Sequence, residues 1–375
     1  MKIERTTWTK DEGWAGAAEG AGASWVLYFA SPELSGPELY EAIRERYPSA
    51  IVQGCSTGGE IAGEDVHDGI ASVVAITLER TQVRGERLEV ASADASFATG
   101  SALGTALAAP DLRALFVLSD GTKVNGTELT RGLQRAVGDK VVVSGGLAGD
   151  GARFGATRVG LDAPATPGVV AAIGLYGDAL VVRCGTAGGW SPFGPQRLVT
   201  KSIGNVLYEL DGKPALDLYK KYLGEEAQKL PASALLYPLM MQRANDDEEP
   251  VVRTIVGVDE AANTMTFAGD IPEGATAQLM RASIDELVDG ASTAAKAAQL
   301  EEESGFAVLV SCIGRKLLMG QRTADEVEAV SYTLGETYPT VGFYSYGEIA
   351  PGTTAGFSDL HNQTMTITTF AEKAA

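Results

Sequence analysis

A chain of 375 residues exceeds the roughly 250–300 residues at which one hydrophobic core stops growing, so two domains are expected. Hydrophobic residues make up 45%, enough for a large core, and 49 Asp and Glu against 30 Lys and Arg leave a formal net charge of −19 with no basic run, which disfavours nucleic acid as a partner. No uncharged apolar run of about 18 residues is present to insert in a membrane, and the Ala/Gly-rich stretch Ala17–Ala30 lacks the basic leader of a signal peptide.

In chain order, the first half alternates apolar runs with amphipathic helices. Strands are expected at Trp25–Ala30, Ala50–Gln53, Ile70–Leu78, Ala114–Leu118 and Val141–Val143. Leu39, Ile43 and Tyr47 recur at helical spacing, as do Leu129, Leu133 and Val137, giving each helix one apolar stripe. From Arg153 to Leu210 the pattern becomes strands separated by Gly, Asp and Pro turns, which predicts an antiparallel meander. The breaker-rich segment Gly185–Pro195 sets the expected boundary, giving domains 1–195 and 196–375. Beyond it, Pro214 opens a helix, Asn245–Glu249 is a polar loop, and strands at Val251–Val258, Thr264–Phe267, Thr276–Ala282 and Phe306–Ser311 surround a helix near Ile284–Glu302. The final strand is Thr364–Phe370. The fold class is α/β with mixed α+β sheets, arranged as two related domains.

The relation between the halves rests on a repeat. EAIRERYPSAIVQGCSTGGEIA from Glu41 and EAVSYTLGETYPTVGFYSYGEIA from Glu328 both run helix, Glu-x-Tyr-Pro turn, apolar strand, then Gly-Glu-Ile-Ala. A glycine beside a carboxylate just past a strand is a common setting for ligand-contacting loops. The first copy offers Cys55, Ser56, Thr57, Gly58, Gly59 and Glu60 as ligand-binding candidates, and equally suits a tight turn. SGGLAGDG at Ser144–Gly151 loosely echoes it and adds Gly145, Gly146 and Asp150; it lacks the G-x-G-x-x-G order of a dinucleotide fingerprint. Arg315, just past an apolar strand, suits a carboxylate or phosphate, or an internal pair with Glu348 or Glu60. Tyr344 and Tyr346 share one strand face beside Glu348 and would line a small-molecule pocket or pack.

Cysteine and histidine usage bounds the chemistry. Cys55, Cys184 and Cys312 are scattered, without metal-ligand spacing, as in a reduced cytoplasmic chain without structural zinc. Cys55 is either a covalent nucleophile with a lowered pKa or a small residue in a crowded loop. The chain has only two histidines, His67 and His361; neither adjoins a triad motif, and either has the chemistry to ligate haem iron if an apolar pocket surrounds it.

Taken together, these segments resemble the FIST family of sensory proteins, named for F-box and intracellular signal transduction. The resemblance is carried in the first half by GCSTGGEI (Gly54–Ile61), SDGTKVNGTELTRGL (Ser119–Leu133) and GGLAGDG (Gly145–Gly151). In the second half it is carried by NVLYELDGKPALDLY (Asn205–Tyr219), SCIGRKLLMG (Ser311–Gly320), GFYSYGEIAP (Gly342–Pro351) and LHNQTMTI (Leu360–Ile367). It implies a non-enzymatic FIST N plus FIST C sensor of a small, amino acid-like molecule bound between or within the two domains, signalling through a separate partner protein. It also implies an alternative, since some members bind haem and report nitric oxide to a histidine kinase or a cyclic-di-GMP enzyme. The pocket expected from this reading combines Gly58–Glu60, Gly145–Asp150, Arg315 and Tyr344–Glu348.

Overall fold

A computed structural model describes residues 1–16, 22–230, 232–242, 250–302, 304–352 and 357–373; the expected loop Asn245–Glu249 lies outside them. The mixed α/β class holds, and the repeat seen twice in the sequence occurs three times in space. Each unit is built on a parallel strand pair joined by helix: Trp25–Ala30 with Ile51–Ser56, Leu112–Ser119 with Val142–Leu147, and Phe306–Cys312 with Thr340–Ser345. On the far side of the first strand of each pair lies an antiparallel strand, Ala71–Thr77, Val169–Tyr176 or Met365–Glu372. That strand carries an outer partner, Lys2–Thr9, Gln82–Glu89 or Leu180–Ala187.

The fifth strand of each sheet comes from another unit. Glu60–Ala62, which follows the first Gly-Gly loop, pairs with Thr340–Ser345 of the third unit. Gly347–Pro351, which follows the third unit's loop, pairs with Val142–Leu147 of the second. Val159–Leu161, which follows the second unit's loop, pairs with Ile51–Ser56 of the first. The exchange closes on itself, so strand pairs run repeatedly across the expected junction at 195/196.

Burial on both faces explains why the parallel strands are continuous apolar runs rather than alternating ones. One face packs on helices, as Leu39 and Ile43 do in the first unit and Leu129 and Leu133 in the second. The other faces the pseudo-threefold centre, which is filled by Trp25, Phe116, Phe306 and Phe370 with ring centroids 4.9–6.3 Å apart. Aromatic contacts of this kind add about 0.5–1.5 kcal/mol each beyond the area they bury.

The expected meander of Arg153–Leu210 is corrected. Its strands are divided among different sheets: Val169–Tyr176 belongs to the second unit, Leu180–Ala187 to the third, and Arg197–Ile203 and Val206–Leu210 form a hairpin in a separate nine-stranded sheet. That sheet, drawn from Ser191–Arg281, is inserted between the third unit's outer strand and the helix Ile284–Ala298, and has its own core of Val199, Leu216, Tyr219, Met265 and Phe267. Local turn chemistry predicted the strands correctly, but their partners are set by pairings remote in sequence. The helix beginning after Pro214 is present at Ala215–Leu223. No helix of the described residues is long and apolar enough to cross a membrane.

Candidate functional site

The Gly-rich loops converge where the three units meet, and they do so backbone against backbone. Gly58 N donates to Tyr344 O at 2.7 Å, Tyr344 N to Gly59 O at 2.9 Å, Gly149 N to Ser56 O at 3.0 Å and Tyr346 N to Leu147 O at 3.0 Å. A Cβ on Gly149 would stand 2.8 Å from Gly58 N, and one on Gly145, whose φ is +136°, 1.9 Å from the Val117 carbonyl oxygen. Close approach and left-handed backbone therefore dictate these glycines.

Each unit places a carboxylate at this junction, and each is committed to internal hydrogen bonds. Glu60 accepts from Ser31 Oγ at 2.8 Å and from Thr57 Oγ1; burial raises its pKa to about 7 against those donors. Glu348 accepts from Ser345 Oγ at 2.6 Å and Thr364 Oγ1 at 2.9 Å, and burial raises it to about 8. Burial pushes Asp150 upward too, but the Tyr346 hydroxyl and the N–H groups of Ala156 and Gly155 hold its carboxyl below the ordinary value. Ser56 Oγ donates to Gly149 O at 2.8 Å.

The structure thus brings Ser56–Glu60, Gly145–Asp150 and Tyr344–Glu348 together, as the repeat suggested. It packs them into a buried seam, and none of them lines the large cleft described below. Several expectations are corrected. Cys55 is the fifth residue of a strand, not a loop residue; it is fully buried, and burial together with Glu60 raises its thiol pKa well above normal. Arg315 pairs with neither Glu348 nor Glu60. It is fully buried on the helix Ile313–Met319, its Nη2 lies 2.6 Å from Glu326 Oε2, and it also donates to the carbonyls of Gly188 and Leu287. Glu326 in turn accepts from Tyr344 OH and Ser311 Oγ, each at 2.8 Å. The two tyrosines diverge, Tyr344 to Glu326 and Tyr346 to Asp150, because the strand ends at Ser345 and the alternation ends with it.

A thiol so placed stays protonated and shielded. Native Cys55 is expected to react with iodoacetamide far more slowly than a free cysteine and at the free rate only after denaturation. Native-state labelling at the free rate, located by peptide mapping, would overturn this placement.

Three equivalent seams separate each unit's connecting helices from the strand it receives. In the first, Arg44 on the helix Pro37–Arg46 meets Asp162 at 2.6 Å; in the third, Lys316 meets Asp68 at 2.5 Å and Gly58 O at 3.0 Å. In the second, Gln134 Oε1 accepts from Ser358 N at 3.0 Å, and beyond that contact the seam widens into a cleft of about 1180 Å³ roofed by the inserted sheet. Its walls are Thr127, Glu128, Arg131 and Arg135 of the helix Gly126–Val137, the segment Thr186–Trp190, Met240, Met280 and Asp270–Glu273 of the insertion, and Phe357–Asp359, His361 and Thr364 of the third unit. Asn125 Nδ2 to Asp270 Oδ1 at 2.9 Å and Arg253 Nη1 to Leu360 O at 2.7 Å tie the insertion to the body.

The two histidines occupy equivalent places: His67 is the cross-strand partner of Glu60, and His361 of Glu348. They do not fit a haem site. His67 is exposed on a short hairpin, and His361, with a ring nitrogen 3.1 Å from Ala350 O, faces a cleft walled by four carboxylates and two arginines rather than an apolar pocket. Among the described residues no group of three or more His, Cys, Asp or Glu is placed to hold a metal ion. Sequence reasoning named none of the cleft walls as site residues apart from His361, although the segments Ser119–Leu133 and Leu360–Ile367 contain Thr127, Glu128, Arg131 and Thr364; Trp190 and Arg135 lie in no motif that marks them.

Comparison with known proteins gives distant relatives. The chain is 25% identical over 348 residues to an uncharacterized protein of Methanocaldococcus jannaschii, covering 83% of this chain, and 26% identical over 239 residues to one of Mycobacterium tuberculosis, covering 61%. It spans 66% and 61% of the lengths of those relatives. Among solved structures, a chorismatase aligns over 99% of this chain and 98% of its own, with 10% identity and a TM-score of 0.38. A cyanuric acid hydrolase from A. caulinodans aligns over 79% and 100%, with 14% identity and a TM-score of 0.18; neither score reaches that of a shared fold. The FIST N domain family model matches residues 24–213 and the FIST C domain model residues 215–351, domains associated with small-ligand sensing in signal transduction, and the chain belongs to the FIST family.

Proposed function

We propose that this protein is a sensor that binds its small-molecule ligand in the cleft under the inserted sheet and passes the signal by contact to a separate protein. The observation that carries this reading is the inequality of three equivalent seams. Two are bridged by a Lys or Arg to Asp pair, while the second opens into a cleft of about 1180 Å³, above the roughly 300–1,000 Å³ of ordinary ligand sites. In this reading the amino-terminal part, 1–195, supplies the helix Gly126–Val137 and Thr186–Trp190, and the part 196–375 supplies the remaining walls. Ligand contacts to both would bias the position of the insertion against the body, and that displacement is what a partner would read. The buried residues Gly58–Glu60, Gly145–Asp150, Arg315 and Tyr344–Glu348 then serve as the rigid frame against which the roof moves.

Tryptophan reports the location directly. Of the four tryptophans, Trp8, Trp14 and Trp25 lie in the first unit's sheet and Trp190 in the cleft wall. A screen of amino acids and small carboxylates by thermal shift is expected to yield a stabilising ligand that also changes intrinsic fluorescence. In Trp190→Phe the stabilisation should persist and the fluorescence change vanish. A ligand whose fluorescence change survives that substitution binds elsewhere and ends the assignment.

A further inference from the structure

One buried titratable group outside the cleft lies a single hydroxyl away from it. Glu348 is fully buried, and its Oε2 accepts from Thr364 Oγ1 at 2.9 Å and Thr364 N at 3.2 Å; Thr364 lines the cleft. The hydroxyls continue. Thr364 Oγ1 lies 3.3 Å from Thr366 Oγ1, which lies 3.0 Å from Thr186 Oγ1, and Thr186 opens on the cleft again. We propose, resting on the cleft as the ligand site, that its floor is a subsite for an organic ammonium on an apolar body, with the buried Glu348 carboxylate as counter-charge through Thr364.

The surroundings favour that chemistry. Glu348 holds a proton near neutrality because burial penalises its charged form, so the empty site has no uncompensated buried charge. An ammonium resting on the Thr364 and Thr186 hydroxyls supplies the missing positive charge, and Glu348 then releases its proton along the three threonine hydroxyls to solvent. One cation enters and one proton leaves, so the charge of the site does not change. A carboxylate ligand would face the opposite situation, with a developing like charge below it. The walls add carboxylates in excess over arginines, and Trp190, Phe357, Met240 and Met280 offer contact to an apolar body.

Other groups near Glu348 do not supply this role. The Arg315 guanidinium lowers its pKa somewhat but is saturated by Glu326 and carbonyls; the Cys312 thiol is pushed up by burial and by Glu348 itself; His361 is the cross-strand partner. From the strand Leu180–Ala187, Arg183 bonds Gln299 O and Cys184 bonds Thr368; Val142–Leu147 contributes no titratable side chain, and Met365–Glu372 none near this end.

The probes are phenethylamine, 2-phenylethanol and 3-phenylpropionate, which share a body and differ in charge. Calorimetry at pH 6.5 in buffers of different ionisation enthalpy should show about one proton released per phenethylamine bound. Affinity should rise about tenfold per pH unit between pH 6 and 7.5 and level off only above about pH 8. Glu348→Gln, which mimics the protonated acid, should abolish the proton release and weaken binding at pH 8 at least tenfold. Thr186→Val, a change at the cleft surface, should weaken it several-fold. Binding without proton release, an undiminished affinity in Glu348→Gln, or preference for phenylpropionate overturns the cation subsite. If phenylethanol or phenylpropionate binds at least as tightly as phenethylamine and perturbs Trp190, the cleft remains the ligand site while this inference falls. Silence toward all three also overturns it, and the cleft assignment falls as well only if Trp190 is silent throughout the wider screen.

Discussion

Arg315→Ala is expected to lower unfolding stability by about 3–5 kcal/mol, the usual cost of stranding one partner of a buried ion pair. Arg315 and Glu326 have no exposed side-chain surface, so the partner left behind is not at the solvent boundary. The substitution leaves Glu326 charged beneath Ser311 and Tyr344 and strips the carbonyls of Gly188 and Leu287 of a donor. Arg315→Lys keeps the charge but not the planar fork that reaches Glu326 and two carbonyls together, so it should fall between. The double change Arg315→Met with Glu326→Leu should recover much of the loss, because the desolvation of both charges disappears with them. Urea midpoints at constant m decide the matter. A loss under about 1 kcal/mol in Arg315→Ala would show that the pair is not buried as described. Because Gly188 belongs to the cleft wall, Arg315→Ala is also expected to loosen ligand binding, whereas an exposed pair such as Lys10–Glu38 should be nearly neutral in both assays.

Stability should fall as pH rises from about 5 to 8, opposite to the trend of a protein dominated by salt-bridged carboxylates. Glu60 and Glu348 have folded pKa values of about 7 and about 8, above the ordinary 4.5. Within those windows the folded chain keeps protons that the unfolded chain has released. The stabilisation is complete at and below pH 4.5 and is lost as pH climbs through the folded values. At about 1.4 kcal/mol per pH unit per group, the limits are on the order of 3 kcal/mol for Glu60 and 5 for Glu348. Asp150 works the other way, since its lowered pKa adds stability that disappears only in strong acid. Glu60→Gln and Glu348→Gln should each flatten the slope above pH 5, and together should nearly remove it. Melting temperatures of the wild type and double variant from pH 5 to 9 test this; equal slopes would mean that both carboxylates titrate normally.

Much of the fold was legible because its signals are local. The alternation of Leu39, Ile43 and Tyr47 with the apolar run before and after them specifies strand, helix and strand without outside help. The GEIA match exposed two of the three units. The third was read only as a loose echo, since Ser144–Gly151 places its carboxylate, Asp150, after Leu147-Ala148-Gly149 instead of directly after Gly-Gly. The meander failed for another reason: Val169–Tyr176 and Leu180–Ala187 are adjacent in sequence, yet each finds its neighbours among strands that lie far away in the chain. The ligand-loop reading of Gly58–Glu60 had the right observation and met a different physical cause, because a glycine permits a neighbouring backbone as readily as a ligand. The cleft was illegible for the same reason as the sheets. Thr127, Trp190, Asp270 and His361 are separated by 63, 80 and 91 positions, and only the closed fold makes them one surface.

The circular exchange of edge strands constrains how the chain acquires its structure. Glu60–Ala62 emerges early and pairs with its neighbour Asp65–His67, but its other edge waits for Thr340–Ser345, some 280 residues later. The first unit likewise lacks its edge until Val159–Leu161 has been made, and the second until Gly347–Pro351 has. Closing loops of that span costs entropy before any contact repays it, which slows folding and leaves unpaired edges open to wrong partners meanwhile. During synthesis, the edges of Glu60–Ala62 and Val142–Leu147 therefore stay unpaired on one side until residues 340–351 have left the ribosome. Two fragments cut at the junction of the family domains should each fold poorly and recover the native state when mixed, each completing the sheets of the other.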